Sequence, residues 1–111
     1  MSPIRPDFER RVRDALATEP VLLRPLEDLI TDGCAHALQL ETELARLDRR
    51  REELLPRTGR EDGAAHEVVQ LGGRIDERER DLERVRGLIG ELMGLRARTR
   101  LRTFLAESRG G

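Results

Sequence analysis

The stretch that decides the fold is Leu23–Leu54, LRPLEDLITDGCAHALQLETELARLDRRREEL, where mostly small and apolar residues recur at alternating steps of three and four. This spacing places them on one side of an α-helix, as the a and d positions of a heptad repeat. The positions of this first seam are Leu23, Leu26, Ile30, Gly33, Ala37, Leu40, Leu44, Leu47, Arg51 and Leu54. Because Pro56 cannot continue a helix, we predict a helical arm over residues 25–55.

A second seam with the same spacing follows after a short break. Its positions are Ala64, Val68, Leu71, Ile75, Arg78, Leu82, Val85, Ile89 and Leu92. Thr58 and Glu61 match a capping box, so we predict that this arm covers residues 60–107. Two long seams joined by a short turn pack as an antiparallel pair. The predicted fold class is therefore all-α, an antiparallel helical hairpin (coiled coil) that dimerises into a helical bundle.

Two arginines interrupt the seams, one in each arm. The long side chain of an arginine can keep its charged head at the edge of a seam and reach across it. We expect Arg78 to reach Glu41 or Glu43 on the other arm, and we expect Arg51 to reach across in the same way. Polar residues in a seam often fix the register of the two helices.

A short N-terminal helix is predicted over residues 7–18. Phe8, Val12 and Leu16 recur at four-residue steps, which places them on one face, and Pro20 ends the helix. The second arm is longer than the first, so its last residues have no arm opposite them. We expect the N-terminal helix to fold back over Leu101, Phe104 and Leu105, the apolar residues at the end of the second arm. The whole chain, 1–111, is predicted to be a single domain with a flexible tail at 108–111.

The composition excludes several classes of protein. Of the 111 residues, 39% are charged and 2% are aromatic, with neither Trp nor Tyr. A β-sandwich or barrel is disfavoured because residues that favour strands are scarce. The single cysteine cannot form an internal disulfide, and no apolar run approaches the length that spans a membrane. We expect a cytoplasmic protein without membrane contact.

The formal net charge of −1 hides strongly charged segments. Residues 25–48 carry six acidic residues and one arginine, and residues 96–111 carry five arginines and one glutamate. A chain that is neutral as a whole can therefore still present a basic segment to an anionic partner.

A single two-helix seam buries little apolar surface for a chain of this length, so a second interface is expected. Small residues at Gly87, Gly90, Gly94 and Ala97 lie off the second seam and would let another helix approach closely. Leu88, Met93 and Leu95 widen the apolar surface. We predict a homodimer. The alternatives are a monomer in which the N-terminal helix covers this surface and an oligomer larger than a dimer. The residues predicted to bind a partner are Gly87, Gly90, Met93, Gly94 and Leu95.

The basic segment, Arg96, Arg98, Arg100 and Arg102, is the candidate site for an anionic partner. On a helix these residues form two rows, 96/100 and 98/102, which we expect to be neighbours. Arginine suits phosphate and carboxylate groups through its forked geometry. Three interpretations stay open: a patch that binds nucleic acid, pairing with the acidic 25–48 segment of another subunit, or a solvated helix end.

No pattern indicates an enzyme, a metal site or a cofactor. Cys34 and His36 are two residues apart, whereas ligands on one helix face need a spacing of three or four. Acid–base chemistry needs a concave site, which a two-helix hairpin does not obviously provide.

The leading functional hypothesis is thus a non-enzymatic module for protein interaction or assembly. It would contact itself and another protein. The alternative hypothesis is a transcription-associated regulator that uses Arg96–Arg102.

A short segment supports that alternative. The run Leu71–Asp76, with Glu61 fifteen residues before Asp76, resembles part of a motif in helical-hairpin anti-sigma factors that bind cyclic di-GMP. The motif has Glu, Ser, Arg, Gln and Asp at set helical spacings. Glu61 and Asp76 match it, whereas Ala65, Val68 and Gly72 replace the other three residues. The resemblance implies a helical partner of the transcription machinery.

Overall fold

The computed structural model describes residues 6–110, and every regular element in that range is helical. Helix α1 covers Pro6–Ala17, α2 covers Leu23–Leu54, and α3 covers Ala64–Gly110, with a single 3-10 turn at Leu55–Arg57. Helices α2 and α3 pack side by side as an antiparallel hairpin, which confirms the predicted fold class at this level. The molecule is a rod about 75 Å long.

The two seams form the contact between the arms. None of the predicted seam residues is exposed, and most are fully buried. The heptad spacing predicts the buried face correctly because apolar side chains at steps of three and four form one continuous strip on the helix. Packing the two strips together removes both from water. Arg78 interrupts its seam as predicted: its Nε donates a hydrogen bond to Oε1 of Glu43 at 2.8 Å. Arg51 differs, because it pairs with Asp48 on its own helix instead of reaching across.

Two hydrophobic clusters make up the core. One lies towards the tip of the hairpin, where Leu47, Leu54, Ala64, Leu71 and Ile75 are buried. The other lies at the opposite end, where α1 joins α2 and α3. The partly buried Leu44 packs against both clusters. The rod therefore has a two-helix half at the tip and a three-helix half at the other end.

Helix α1 does not cover the end of α3, so that prediction is wrong. Leu101, Phe104 and Leu105 are 57%, 63% and 46% exposed. Instead, α1 inserts Phe8 and Val12 between the arms further along the hairpin, where both are buried. Its charged residues hold it there, since Arg11 pairs with Asp32 of α2 and Glu9 pairs with Arg84 of α3.

Gly33 explains this position of α1. A Cβ atom on Gly33 would lie 3.1 Å from Cζ of Phe8 and 2.8 Å from Cγ1 of Ile89. The bare backbone of α2 therefore leaves the space into which the Phe8 ring fits beside α3. The ring also packs against His36, with 5.0 Å between the ring centroids. A local gap in α2 is what fixes the docking point of α1.

The turn between the arms also differs from its prediction. The Thr58 hydroxyl donates to the Leu55 carbonyl oxygen, so Thr58 and Glu61 do not form the expected capping box. Gly63, with φ of +85°, precedes the helix, and α3 begins at Ala64 rather than near residue 60. A backbone in the left-handed region favours glycine, and the turn uses one there. At its other end α3 is helical to Gly110, beyond the predicted limit of 107.

Candidate functional site

The residues predicted to bind a partner fall on two sides of α3. Gly87, Gly90 and Met93 are exposed and Gly94 is partly exposed. Leu95 is only 8% exposed and belongs to the core cluster beside α1, so its predicted place on the partner surface is wrong. Because a helix turns about 100° per residue, Leu95 lies about 100° around α3 from Gly94, on the side that α1 covers.

The exposed members belong to a longer strip. Continuing from Gly87, Gly90 and Gly94 in steps of three and four leads to Ala97, Leu101 and Phe104, all exposed. We call these six residues the outer stripe. They lie on the side of α3 opposite buried Val85, Leu92 and Thr99, since the positions differ by about half a turn. The sequence prediction missed its last two members, although the same spacing indicates them.

The outer stripe changes character along its length. At Gly87 and Gly90 an added Cβ would meet nothing within 4 Å, so the backbone faces open space. At the other end, Leu101 and Phe104 project large apolar side chains into solvent. Between the two ends, Nη1 of Arg98 lies 3.4 Å from the position that a Cβ on Gly94 would take, so this side chain folds back over the glycine. One half of the stripe is thus flat and the other half protrudes.

The four arginines of the basic segment do not form one patch. Arg100 faces the hairpin and binds Oε1 of Glu27 on α2 at 3.0 Å, and Arg96 on the same side is partly buried. Arg98 and Arg102 are exposed on the far side of α3. The expectation of neighbouring rows is therefore wrong, because residues two apart on a helix differ by about 200°.

The acidic 25–48 segment is largely neutralised within the chain. Among the residues that the structure describes, all its acidic members except Asp28 form ion pairs. The pairs are Glu27–Arg100, Asp32–Arg11, Glu41–Arg86, Glu43–Arg78 and Asp48–Arg51. The hydrogen bond from Arg78 to Glu43 raises the pKa of Arg78 above its usual value, against the opposing effect of burial. Little acidic charge is left there for the basic segment of another subunit.

The residues that resemble the anti-sigma motif are not all helical. Glu61 lies in the turn before α3, where it pairs with Arg57 at 3.8 Å, and Asp76 is exposed on α3. Because the helix begins only at Ala64, Glu61 is not held at the helical spacing from Asp76 that the motif has. The structure therefore does not place Glu61 and Asp76 on one helix at the spacing that the resemblance implies.

Other candidate groups are placed as follows. Cys34 is exposed on α2, and His36 is held against Phe8. Within residues 6–110, no three His, Cys, Asp or Glu side chains cluster in a way that could hold a metal ion. No helix in the described part of the chain is long and apolar enough to cross a membrane.

Comparisons of the chain with protein-family models, with characterised proteins and with solved structures find no match.

Proposed function

We propose that this protein is a non-enzymatic interaction and assembly module that acts as a homodimer through the outer stripe of α3. The observation that carries the proposal is the outer stripe itself, a strip of small and large apolar residues at heptad spacing. Such spacing on a helix is typical of a surface that packs against another helix. In the single chain the buried residues of α3 end at Thr99 and lie away from this strip, which stays uncovered; from Arg100 to Arg109 every residue of α3 is exposed.

The glycines support a helix as the occupant. A glycine inside a helix costs about 1 kcal/mol of stability relative to alanine. Gly87 and Gly90 gain nothing within the chain in return, since a Cβ at either position would meet no atom within 4 Å. A neighbouring helix that packs closely against the bare backbone would offset this cost. Gly33, which does face a close neighbour in Phe8, is an example of that use within the same chain.

The experiment compares two matched glycine substitutions by sedimentation over a range of concentrations. Gly90→Arg places a long charged side chain on the outer stripe, and Gly73→Arg places the same side chain on exposed α3 away from it. Both sites have open space around the Cβ, so both variants should fold. We expect the wild type and Gly73→Arg to be dimers and Gly90→Arg to be a monomer. A wild type that stays monomeric, or a Gly90→Arg variant that remains dimeric, would refute the proposal.

Binding of nucleic acid is the second candidate function, and exposed Arg98 and Arg102 are the observation in its favour. Neither forms an ion pair with another residue in the range that the structure describes. If both contact phosphates, the affinity for duplex DNA should fall steeply with salt and should be lost in Arg98→Glu/Arg102→Glu. Arg80→Glu, another exposed position on α3, is the matched control. Equal affinity of all these variants for DNA would remove this candidate.

A further inference from the structure

The two halves of the outer stripe differ in the size of their side chains. Gly87, Gly90 and Gly94 form the small half, and Leu101 and Phe104 form the large half, with Ala97 between them. Two copies of such a stripe can be laid together in only two ways, parallel or antiparallel. The sizes of the facing side chains decide between the two, because packed helices keep a nearly constant separation of about 8–10 Å.

We infer that the outer stripes of two copies pair antiparallel, with the two-fold axis level with residues 95 and 96. This inference rests on the proposed homodimer and specifies its geometry. Phe104 of each copy then faces Gly87 of the other, Leu101 faces Gly90, and Ala97 faces Gly94. A large side chain meets a glycine at both ends of the contact, so the two ends have the same separation, and the small residues Ala97 and Gly94 meet at its centre. The same surface serves on both copies, as a two-fold interface requires.

The parallel arrangement fits poorly. It would place each glycine opposite the same glycine, and Leu101 and Phe104 opposite themselves. The helices would need to approach closely at one end and separate at the other, which leaves a gap along part of the contact. Gaps in an apolar contact forfeit dispersion energy and are unfavourable.

Charge favours the same orientation. Glu91 is the one acidic residue in the sequence between Arg84 and Ala106, a segment that also contains Arg98 and Arg102. All three side chains lie along the same edge of the outer stripe, because each arginine is only about 20° around the helix from Glu91. In an antiparallel pair related by a two-fold axis, this edge meets the same edge of the other copy.

With the axis level with residues 95 and 96, Glu91 of one copy lies level with residue 100 of the other. Arg98 and Arg102 of that copy stand one on each side of this level. Each end of the contact thus brings one carboxylate between two guanidinium groups. Arg98, which folds over Gly94 in the single chain, must swing aside for the second copy, and this movement brings its guanidinium group towards the facing Glu91.

Disulfide cross-linking tests the orientation. The exposed Cys34 is first replaced by alanine, and then Gly90→Cys and Leu101→Cys are prepared as two separate chains. In the antiparallel pair, position 90 of one copy and position 90 of the other lie about eleven residues apart along the helix axis, or about 16 Å, and the same holds for position 101. Disulfides need Cβ atoms about 3.5–4.5 Å apart, so neither chain should cross-link with itself. An equal mixture under mild oxidation should give a cross-linked dimer.

The outcomes separate this inference from the proposed function. Self-cross-linking of Leu101→Cys or Gly90→Cys alone, in a protein that sediments as a dimer, overturns the antiparallel orientation and leaves the homodimer intact. A monomeric wild type overturns both. A second mixture, Gly87→Cys with Phe104→Cys, repeats the cross-linking test in case the substitutions of the first mixture weaken association. A dimer in which neither mixture cross-links contradicts the inferred register. Gly73→Cys mixed with Leu101→Cys is the negative control.

Discussion

Arg78 and Glu43 join the two arms of the hairpin, with Nε of the arginine 2.8 Å from Oε1 of the glutamate and the arginine side chain only 14% exposed. The pair sits within the seam of α3, where the other contacts are apolar. A charged group in such a place depends on its partner, because a buried charge without one pays its desolvation cost in full.

We predict that Glu43→Ala lowers the free energy of unfolding by about 1–2 kcal/mol, because it removes the strongest partner of an arginine whose side chain is only 14% exposed. Glu77 and Asp81 lie 3.8 and 4.0 Å from Arg78 and limit the loss. Replacing both members of the pair by leucine should recover most of the stability. Urea denaturation measures the effect, with exposed Glu83→Ala as control. Equal unfolding midpoints for Glu43→Ala and Glu83→Ala would contradict the prediction.

Gly33 and Gly73 should respond to alanine with opposite signs. At Gly33 the new Cβ would lie within 3.1 Å of both Phe8 and Ile89, so we expect a loss of about 1–3 kcal/mol from overpacking. At exposed Gly73 nothing lies within 4 Å, so the better helix propensity of alanine should add about 0.5–1 kcal/mol. Thermal unfolding of the two variants checks this. Stabilisation by Gly33→Ala would mean that α1 does not dock against that position.

The two phenylalanines of the chain should affect different properties. Phe8 is 1% exposed, so Phe8→Ala should cost about 3–5 kcal/mol of folding stability. Phe104 is 63% exposed, so Phe104→Ala should leave the folding stability of the single chain nearly unchanged. Under the proposed dimer, Phe104→Ala should instead weaken self-association. Circular dichroism at a concentration low enough for the monomer separates the two effects. A large loss of monomer stability in Phe104→Ala would place that ring inside the core.

The inferred contact between Glu91 and the arginines of a second copy predicts a compensating pair of charge reversals. Glu91→Arg alone should raise the dimer dissociation constant about tenfold, since exposed ion pairs contribute a few tenths of a kcal/mol each, about 1.4 kcal/mol together, and the two Glu91 side chains of the dimer lose four of them. Combining it with Arg98→Glu and Arg102→Glu should restore much of the affinity. Sedimentation equilibrium at low and high salt measures both. If the combined variant is no tighter than Glu91→Arg, these residues do not face one another.

The sequence was sufficient for the hairpin because its signal repeats many times. Each seam carries about ten positions at the same spacing, so an error at one of them does not change the packing face. The same register predicted that Arg78 reaches Glu41 or Glu43 on the other arm, and Arg78 binds Glu43. The ends of the helices depend instead on single local interactions. The Thr58 hydroxyl donates a hydrogen bond to the Leu55 carbonyl oxygen instead of forming the predicted capping box with Glu61.

The docking point of α1 could not be predicted for a different reason. The amphipathic face of α1 fits any apolar groove of suitable width, including the one expected near Phe104. What selects the observed place is the gap at Gly33 together with the charges of Asp32 and Arg84, which come from two different arms. That combination exists only after the hairpin has formed. Leu95 was misplaced for the same reason, because its burial depends on where α1 lies.

The division of the core at Leu44 has a consequence for the motions of the rod. The cluster at the tip is held by two helices and the cluster at the other end by three, so the tip has fewer partners to keep its backbone amides from water. Segments with few apolar contacts open at a lower free energy than the molecule as a whole. Amide hydrogens near Leu54 and Leu71 should therefore exchange with deuterium well before those near Leu29 and Val85, and the hairpin should open from its tip while the three-helix end stays closed.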